Sequence, residues 1–405
     1  MFGSTVPSEW RRAELPGNRV DFSFSEDQEL LRNSLRTFLT DRYSFEERRA
    51  TAQSDRGWRP EIWMALARDL DVLGTALPQR LGGLGADPVM TLVMMEEFGR
   101  ALFIEPYLET VVICGGLLAR AGSDRADNVL RQIAQGTQTL AFASSDPNSR
   151  YELIPTTTRA RWDGDAWVLD GAKSVVVAAP WATQLLVTAS TAGGPAGPAG
   201  VSLFLVETAT PGVRATHYPT VDGRRAADIV FENVRLPADA LLGPAGRALA
   251  SIEQSADEAI AALSAEALGV LSRLLHDTLD YTKQRRQFGQ PLAGFQVLQH
   301  RMVDMYMEVE MARSATLLVT LKLTAGPHER ALAASAAKVT VSKACRFVGQ
   351  NAIQLHGGMG LTDDLPVSHY FRRATALEAE FGTVDFHLAR YAALTRPAAE
   401  QRGIS

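Results

Sequence analysis

The chain has 405 residues, of which 46% are hydrophobic and 21% are charged, and its formal net charge at pH 7 is -5. This composition is typical of a globular protein with a sizeable core. The acidic balance provides no basic surface for phosphate backbones, which argues against a nucleic-acid-binding protein. No apolar run reaches the roughly 18 residues of a membrane span, and the N-terminal stretch lacks the apolar core of a secretory signal. We therefore expect a cytoplasmic protein that binds neither nucleic acid nor membrane.

The first part of the chain has the apolar spacing of helices. We expect a flexible N-terminal arm over 1–21 and a helical domain over 22–137. In SFSEDQELLRNSLRTFL, Ser25 is a candidate N-cap, and apolar residues recur at 30, 31, 35, 38 and 39. This spacing places them on one face of a helix.

The pattern changes between 138 and 242. Six short segments rich in Val, Thr and aromatic residues are separated by turn sequences such as DGD, TAGGPAGPAG and VDGRR. Such segments predict a small antiparallel sheet domain or barrel.

Long helices return between 243 and 395. An apolar stripe of Leu263, Ala267, Val270 and Leu274 runs along a helix of about forty residues, and three more helical stretches follow. We expect a four-helix bundle, with a tail over 396–405. The predicted fold class is therefore α+β, with an N-terminal helical domain, a middle antiparallel β-domain and a C-terminal four-helix bundle.

The sequence predicts no metal site. The seven histidines are scattered without a pair at i, i+3 or i, i+4 spacing, and there is no cysteine cluster.

Two stretches are candidates for binding an organic ligand. YTKQRRQFGQPLAGFQVLQH (281–300) offers arginine forks for phosphate oxygens and an aromatic face for an adenine, or is a basic helix end that complements the helix dipole. QLHGGMGLT (354–362) lets backbone approach a ligand closely, or is a helix C-cap.

Three further patterns accompany these two stretches: the FSEDQELLRNSLRTFL opening, the LGGLGADP turn and W-x-L-D-G-x-K at 167–173. Together they resemble the acyl-CoA dehydrogenase family over nearly the whole chain. The resemblance implies FAD at a subunit interface, an acyl-CoA substrate and an electron-transfer flavoprotein as redox partner. The flavin ring and substrate would occupy a pocket between β-domain and bundle, while the neighbouring chain grips the adenosine and pyrophosphate.

The half of the FAD site that a neighbour donates matches the family pattern fully. It corresponds here to six residues: Arg285, Gln287, Phe288, Gln354, Gly357 and Gly358.

The half that serves the chain's own pocket departs from the pattern. AFASSDPNSRYE lacks the family's Gly-Ser-Asp, although Asp146-Pro147 is similar to its Glu-Pro. The run Val175–Val177 stands where the family has an aromatic residue, an Ile and a Thr or Ser against the flavin. Buried flavin acceptors left without donors would bind less well.

The family's catalytic glutamate is also missing. Phe381 occupies its place before Gly382, and Glu380 is one residue earlier. If a helix continues here, one residue rotates the side chain by about 100° away from the pocket. Some members carry the base on the first bundle helix, at the place that Ala259 occupies here. Glu258 is one residue away from that place. We predict that no residue of this chain is the base, with Glu258 as the fallback.

Three hypotheses follow. The chain resembles the small subunit of heteromeric acyl-CoA dehydrogenases, such as the pimeloyl-CoA type, in which a catalytic partner completes a heterotetramer for fatty acid or steroid catabolism. Alternatively, it is a self-sufficient homo-oligomeric dehydrogenase that uses Glu258 or Glu380. The third hypothesis is a flavin-free scaffold on the same fold.

Overall fold

The computed structural model describes residues 24–396, except residues 76, 84, 86 and 192–199. The predicted arm over 1–21 and nearly all of the predicted tail over 396–405 lie outside the described residues.

The N-terminal part of the described chain is helical. Its elements are α1 (Glu26–Arg42), α2 (Phe45–Gln53), α3 (Pro60–Leu70), α4 (Pro88–Ala101), a π-helical segment (Leu108–Cys114), α5 (Gly115–Ala121) and α6 (Asp124–Ala134). Ser25 is the N-cap of α1, as predicted. Its hydroxyl accepts a hydrogen bond from the Gln28 N–H, and the Gln28 side chain accepts one from the Ser25 N–H. This capping box fixes where the first helix begins.

The middle part forms one sheet. Its strands are β1 (Leu140–Ala143), β2 (Arg159–Trp162), β3 (Trp167–Val177), β4 (Gln184–Ser190), β5 (Val201–Glu207), β6 (Val213–Pro219), β7 (Arg225–Leu236) and β8 (Leu241–Leu242). The sheet order is β6-β7-β3-β2-β4-β5-β8, and β1 pairs with β4. The pairs β1–β4 and β2–β4 are parallel, and the others are antiparallel. The prediction missed β6, an edge strand that is largely solvent-exposed and has few apolar residues, and β8, which is only two residues long.

The C-terminal part is a helical bundle. Its elements are α7 (Leu249–Gln284), the hairpin strands β9 (Arg286–Gln287) and β10 (Gln290–Pro291), α8 (Gln296–Lys322), α9 (Pro327–His356), α10 (Pro366–Ala379) and α11 (Val384–Thr395). The prediction of four helices missed α11, which packs against α9. A turn at Phe381 and Gly382, with φ of 56° and 120°, separates α10 from α11.

The long helix α7 is the centre of the bundle and contacts α4, α8, α9 and α10. By length and composition it could cross a membrane, which the sequence analysis overlooked, but 83% of its most apolar window is buried inside the protein. Continuous burial of this kind is that of a core helix.

Glu105 makes the stability of the helical domain pH-dependent. Burial raises the pKa of Glu105 to about 7, although Tyr43 Oη donates a 2.8 Å hydrogen bond to its carboxylate. Since this value exceeds the unfolded one, protonated Glu105 stabilises the fold fully below about pH 4.5, and that contribution is lost as the pH rises through 7. We expect Glu105→Gln to flatten the decline in unfolding free energy between pH 5 and 8, measured by urea denaturation. Glu61→Gln, at an exposed position, is the control, and an unchanged pH profile in Glu105→Gln would refute this assignment.

Candidate functional site

One open cleft brings together most of the residues that the sequence selected. It has a volume of about 530 Å³ and lies between the end of α7, the β9–β10 hairpin and the turn after α9. Five of the six predicted cofactor residues line it: Arg285, Gln287, Gln354, Gly357 and Gly358. We call this the bundle-end cleft. Residues about 70 positions apart in sequence meet there because α7 and α9 pack side by side and end together.

Arg285 supplies the charge of the bundle-end cleft. It is the C-cap of α7, with extended backbone (φ -71°, ψ 121°), so the chain leaves the helix at this residue. Its side chain is exposed, and its guanidinium donates no hydrogen bond to any residue within the described part of the chain. Arg301, which the sequence analysis did not select, also lines the cleft. Two arginines facing one cleft suit phosphate oxygens, which guanidinium groups bind as forks.

Phe288 is placed differently from the other five residues. It lies at the tip of the hairpin, where Phe288 and Gly289 have φ of 53° and 82°, as a two-residue turn between antiparallel strands requires. Its ring is 88% exposed and meets the Phe295 ring edge-on at 6.2 Å. Phe288 therefore stands beside the bundle-end cleft, on the surface, instead of lining it.

The two glycines of the turn after α9, Gly357 and Gly358, have different roles. Gly357 ends α9 with φ 62°, and its N–H bonds the carbonyls of Ile353 and Gln354. At Gly358 an added Cβ would meet no atom within 4 Å, so its backbone faces open space in the cleft. Exposed backbone beside the guanidinium groups of Arg285 and Arg301 fits a pyrophosphate.

Tyr281 forms part of the same wall and was quoted in the motif without being selected. Its ring stacks on His356 at 4.3 Å, and its hydroxyl donates a hydrogen bond to the His356 carbonyl. Burial lowers the pKa of His356 below its ordinary value, which keeps the imidazole neutral near pH 7. The stack joins the ends of α7 and α9 and forms a well-packed part of the cleft wall.

At the predicted base position, the structure differs from the helix expected there. Helix α10 ends at Ala379, and Glu380 is its extended C-cap (φ -62°, ψ 131°). The helical rotation invoked for Glu380 is therefore wrong, because neither Glu380 nor Phe381 is helical. Phe381 is half-buried among apolar side chains, and its carbonyl accepts a 2.8 Å hydrogen bond from His387 Nε2.

Gly382 fixes the turn that carries Phe381. An added Cβ at Gly382 would lie 2.5 Å from His387 Nε2, and its φ of 120° is one that other residues rarely adopt. Position 381 is thus held by a turn that tolerates little variation at the next residue.

Glu380 belongs to a buried ion cluster. The Arg373 guanidinium donates to the carboxylate of Glu380, to that of Glu266 at 2.6 and 2.8 Å, and to that of Asp222 at 2.8 Å. Arg373, Glu266 and Asp222 are all buried. The cluster joins the β6–β7 turn to α7 and α10, so the carboxylate of Glu380 is committed to an arginine at the junction of sheet and bundle.

Glu258 is likewise paired. Arg120 of α5 donates from Nη1 to both of its carboxylate oxygens, at 2.9 and 3.1 Å, and Gln254 donates to one of them at 3.0 Å. This contact joins α7 to the N-terminal helices. Both acids that the sequence offered as alternative bases are therefore held by guanidinium groups.

Asp146 organises its own loop. Its Oδ2 accepts hydrogen bonds from the N–H groups of Thr156, Thr157 and Thr158 at 2.7, 2.6 and 3.0 Å, and its Oδ1 lies 2.6 Å from Lys173 Nζ. Burial alone would raise the pKa of Asp146, but Lys173 and these N–H groups hold it well below the usual range. The side chains of Asp146 and Lys173 are both fully buried. The pair ties the loop after β1 to β3.

The Val175–Val177 run does not present three side chains to one pocket. Val176 is in the core of the sheet, whereas Val175 is 60% exposed. Val175 has a φ of 54°, a rare conformation for a β-branched residue, and its N–H bonds Asp228 Oδ1 at 2.9 Å. The strand bulges here, between Lys173 and Val176 in its pairing with β7.

Sequence models of three domains match consecutive parts of the chain: the acyl-CoA dehydrogenase N-terminal domain at residues 25–137, middle domain at 141–234 and C-terminal domain at 249–394. The chain belongs to the acyl-CoA dehydrogenase family. It is 30% identical to the probable acyl-CoA dehydrogenase YngJ of Bacillus subtilis over 373 residues. The aligned region covers 90% of this chain and 96% of that protein.

Two solved acyl-CoA dehydrogenase-like structures are also similar. A variant of the Tcur3481–Tcur3483 steroid ACAD is 30% identical, with a TM-score of 0.83, over 94% of this chain and 99% of that one. The ChsE4–ChsE5 complex from Mycobacterium tuberculosis is 26% identical, with a TM-score of 0.84, over 94% and 100%. Members of this acyl-CoA dehydrogenase family are FAD-binding flavoproteins, so FAD is the cofactor and the fold is that of an FAD-dependent dehydrogenase.

The open space at Gly358 gives a direct test of the predicted cofactor site. We expect Gly358→Val to weaken FAD retention by about tenfold, since bulk forced into a close contact costs roughly 1–3 kcal/mol. The melting temperature should change little, because the new side chain meets no protein atom nearby. Gly326→Val, also in open space but at the other end of α9, is the matched control. Full flavin occupancy with a lower melting temperature would mean that this turn is only a helix cap.

Proposed function

We propose that the chain is a cytoplasmic subunit of a heteromeric FAD-dependent acyl-CoA dehydrogenase. It donates the adenosine and pyrophosphate half of the FAD site to a catalytic partner subunit and lacks a glutamate base of its own. The complex desaturates an acyl-CoA thioester between the α and β carbons, and FAD, when bound, accepts the hydride. The observation that carries the proposal is Phe381 at the base position, combined with a well-formed bundle-end cleft.

The pairing of the alternative acids supports the loss of the base. A general base needs a carboxylate oxygen within hydrogen-bond reach of the substrate proton. The carboxylates of Glu380 and Glu258 instead accept hydrogen bonds from Arg373 and Arg120. Proton uptake by either one would break an ion pair that joins two parts of the fold.

The bundle-end cleft supports donation to a neighbour. Arg285 and Gln287 are exposed, and the Phe288 ring projects from the hairpin tip beside them. A nucleotide held there would keep one side free for a second chain. The apolar stripe on α8 supports the same assembly, since large exposed apolar patches mark protein interfaces. It consists of Val303, Met307, Met311, Leu318 and Leu321, each about half exposed.

The two similar solved structures support a two-component assembly. One is a complex of ChsE4 with ChsE5, and the other joins Tcur3481 to Tcur3483 as a steroid ACAD. By analogy, we propose a heterotetramer that works in fatty acid or steroid catabolism, with an electron-transfer flavoprotein as its electron acceptor.

Substitution of both alternative acids tests the missing base. We expect Glu258→Gln and Glu380→Gln to change the turnover of the assembled complex by less than about threefold, whereas a positioned base contributes roughly 10²–10⁴-fold. Turnover is measured with an artificial electron acceptor at saturating acyl-CoA. Unfolding is measured in parallel, because Glu380→Gln removes one carboxylate from the Arg373 cluster.

The alternatives make opposite forecasts. A fall of about two orders of magnitude in either variant would identify that residue as a relocated base in a self-sufficient dehydrogenase. A chain that retains no flavin, either alone or with an acyl-CoA dehydrogenase partner, would favour the scaffold hypothesis.

A further inference from the structure

The wall of the bundle-end cleft carries positive charge and no negative charge. Arg285, at the end of α7, and Arg301, in the second turn of α8, both line it, and its lining residues include no aspartate or glutamate. Both arginines are exposed, and neither forms a salt bridge with any residue that the structure describes. His356, in the same wall, adds no charge near pH 7, because burial lowers the pKa of its imidazole. An anion in the cleft can therefore reach two guanidinium groups.

The carboxylates that are nearest to these arginines in the sequence do not line the cleft. Asp280 of α7 lies 3.3 Å from His276 Nε2 and 3.6 Å from Lys283 Nζ, so it already has two partners. Asp304 follows Arg301 by three residues on α8, but its side chain is exposed at the surface and forms no salt bridge with Arg301. No described carboxylate competes with a ligand for the two arginines.

Hydrogen bonds within this one chain fix the backbone of the bundle-end cleft. The Arg285 N–H donates to the Tyr281 carbonyl at 2.8 Å, and the Arg285 carbonyl accepts from the Leu292 N–H at 2.9 Å. The Gln299 side chain donates to the Ala293 carbonyl at 2.8 Å, which ties α8 to the segment before it. A site that is ordered before binding loses less entropy when its ligand arrives. The cleft is thus ready to bind in the absence of a second chain.

The chemistry of the wall suits a nucleoside diphosphate. Each guanidinium group can bind phosphate oxygens as a fork, and the open backbone at Gly358 adds room for close approach. The apolar side chains of Leu292, Leu298 and Met359 line the same cleft and can cover a nucleobase. Its volume of about 530 Å³ lies within the range of about 300–1,000 Å³ that ligand sites usually have. Two arginines match two phosphates, so Arg301 is a candidate for the second phosphate contact.

We propose that the bundle-end cleft binds free ADP in the isolated chain, with Arg285 and Arg301 each pairing with one phosphate. This rests on the proposed function, in which the same cleft holds the adenosine and pyrophosphate of FAD. The flavin ring gains no contact until a partner subunit covers it. ADP and FAD therefore bind the isolated chain with similar affinity, weak enough to be lost during gel filtration. Free ADP competes with FAD for this chain before the complex assembles.

Calorimetric titration of the purified full-length chain with ADP, AMP and FAD, in magnesium-free buffer, tests the proposal. We expect ADP to bind at least about tenfold more tightly than AMP, because its second phosphate gains a charge-assisted pair, and FAD to match ADP. Arg301→Met should lower the affinity for ADP to that for AMP. Arg286→Met removes an exposed charge that does not line the cleft, so this control should keep the preference for ADP.

Three results would overturn the ADP site. They are an absence of saturable ADP binding, equal binding of ADP and AMP by the unmodified chain, and an unchanged preference for ADP in Arg301→Met. Circular dichroism of each variant confirms that it is folded.

The flavin content of the assembled complex separates the ADP site from the proposed function. A complex that holds FAD, built from a chain that binds no ADP alone, would refute the ADP site and leave the division of labour intact. A chain that binds ADP through Arg301, in a complex that never takes up FAD, would support the ADP site and refute the division of labour.

Discussion

Arg285→Ala should strip FAD from the assembled acyl-CoA dehydrogenase while leaving this chain folded. The guanidinium of Arg285 faces the bundle-end cleft and donates no hydrogen bond within the described part of the chain, so its removal breaks no internal contact. A lost charge-assisted phosphate contact costs roughly 1.5–3 kcal/mol, or about ten- to a hundredfold in affinity. The measurement is the ratio of flavin to protein in the purified complex, followed by FAD titration of the apoprotein.

The neighbouring arginine is a matched control. Arg286 is also exposed, but it lies on β9 and does not line the bundle-end cleft. Among the described residues, its side chain makes only a 3.5 Å hydrogen bond to the Gly289 carbonyl. Arg286→Ala removes the same charge one residue away and should retain FAD normally. Equal flavin loss in both variants would indicate a general effect of charge, and unchanged occupancy in Arg285→Ala would contradict the phosphate contact.

Asp146→Ala should strongly destabilise the fold. It would leave the ammonium group of Lys173 buried without its carboxylate and would also release the three threonine N–H groups of the loop. Removing one partner of a buried ion pair costs roughly 3–5 kcal/mol. Denaturant unfolding measures this cost.

Two further variants separate the ion pair from the loop contacts. In Asp146→Ala with Lys173→Met neither charge of this pair remains, so part of the stability should return. Asp165→Ala removes an aspartate whose side chain is 94% exposed and lies 3.6 Å from Arg235, and it should have little effect. A loss below about 1 kcal/mol in Asp146→Ala would show that the pair is not a main support of this loop.

The sequence predicted the helices and caps that are set by residues close together in the chain. The apolar stripe of α7 and the capping box at Ser25 are set by residues within one or two turns of each other. The six cofactor residues were selected from the family resemblance, and five of them line the bundle-end cleft because they lie in contiguous motifs at two neighbouring helix ends. Helix α11 was missed because only Gly382 interrupts an otherwise continuous helical pattern.

Contacts between distant residues were not predictable in this way. The Arg373 cluster joins positions 222, 266 and 380, and no short pattern links them. The same holds for Asp146 with Lys173 and for Glu258 with Arg120. The sequence could therefore offer Glu258 and Glu380 as alternative bases, but it could not reveal that each is paired with an arginine from a distant part of the chain.

The flavin stoichiometry of the purified protein tests the proposed division of labour most directly. The chain is purified alone and together with a base-carrying acyl-CoA dehydrogenase, and FAD is quantified per chain in each preparation. We expect the chain alone to be colourless, and the complex to hold one FAD for each pair of chains and to oxidise an acyl-CoA. A chain that alone retains FAD and reduces an electron acceptor with an acyl-CoA would contradict it.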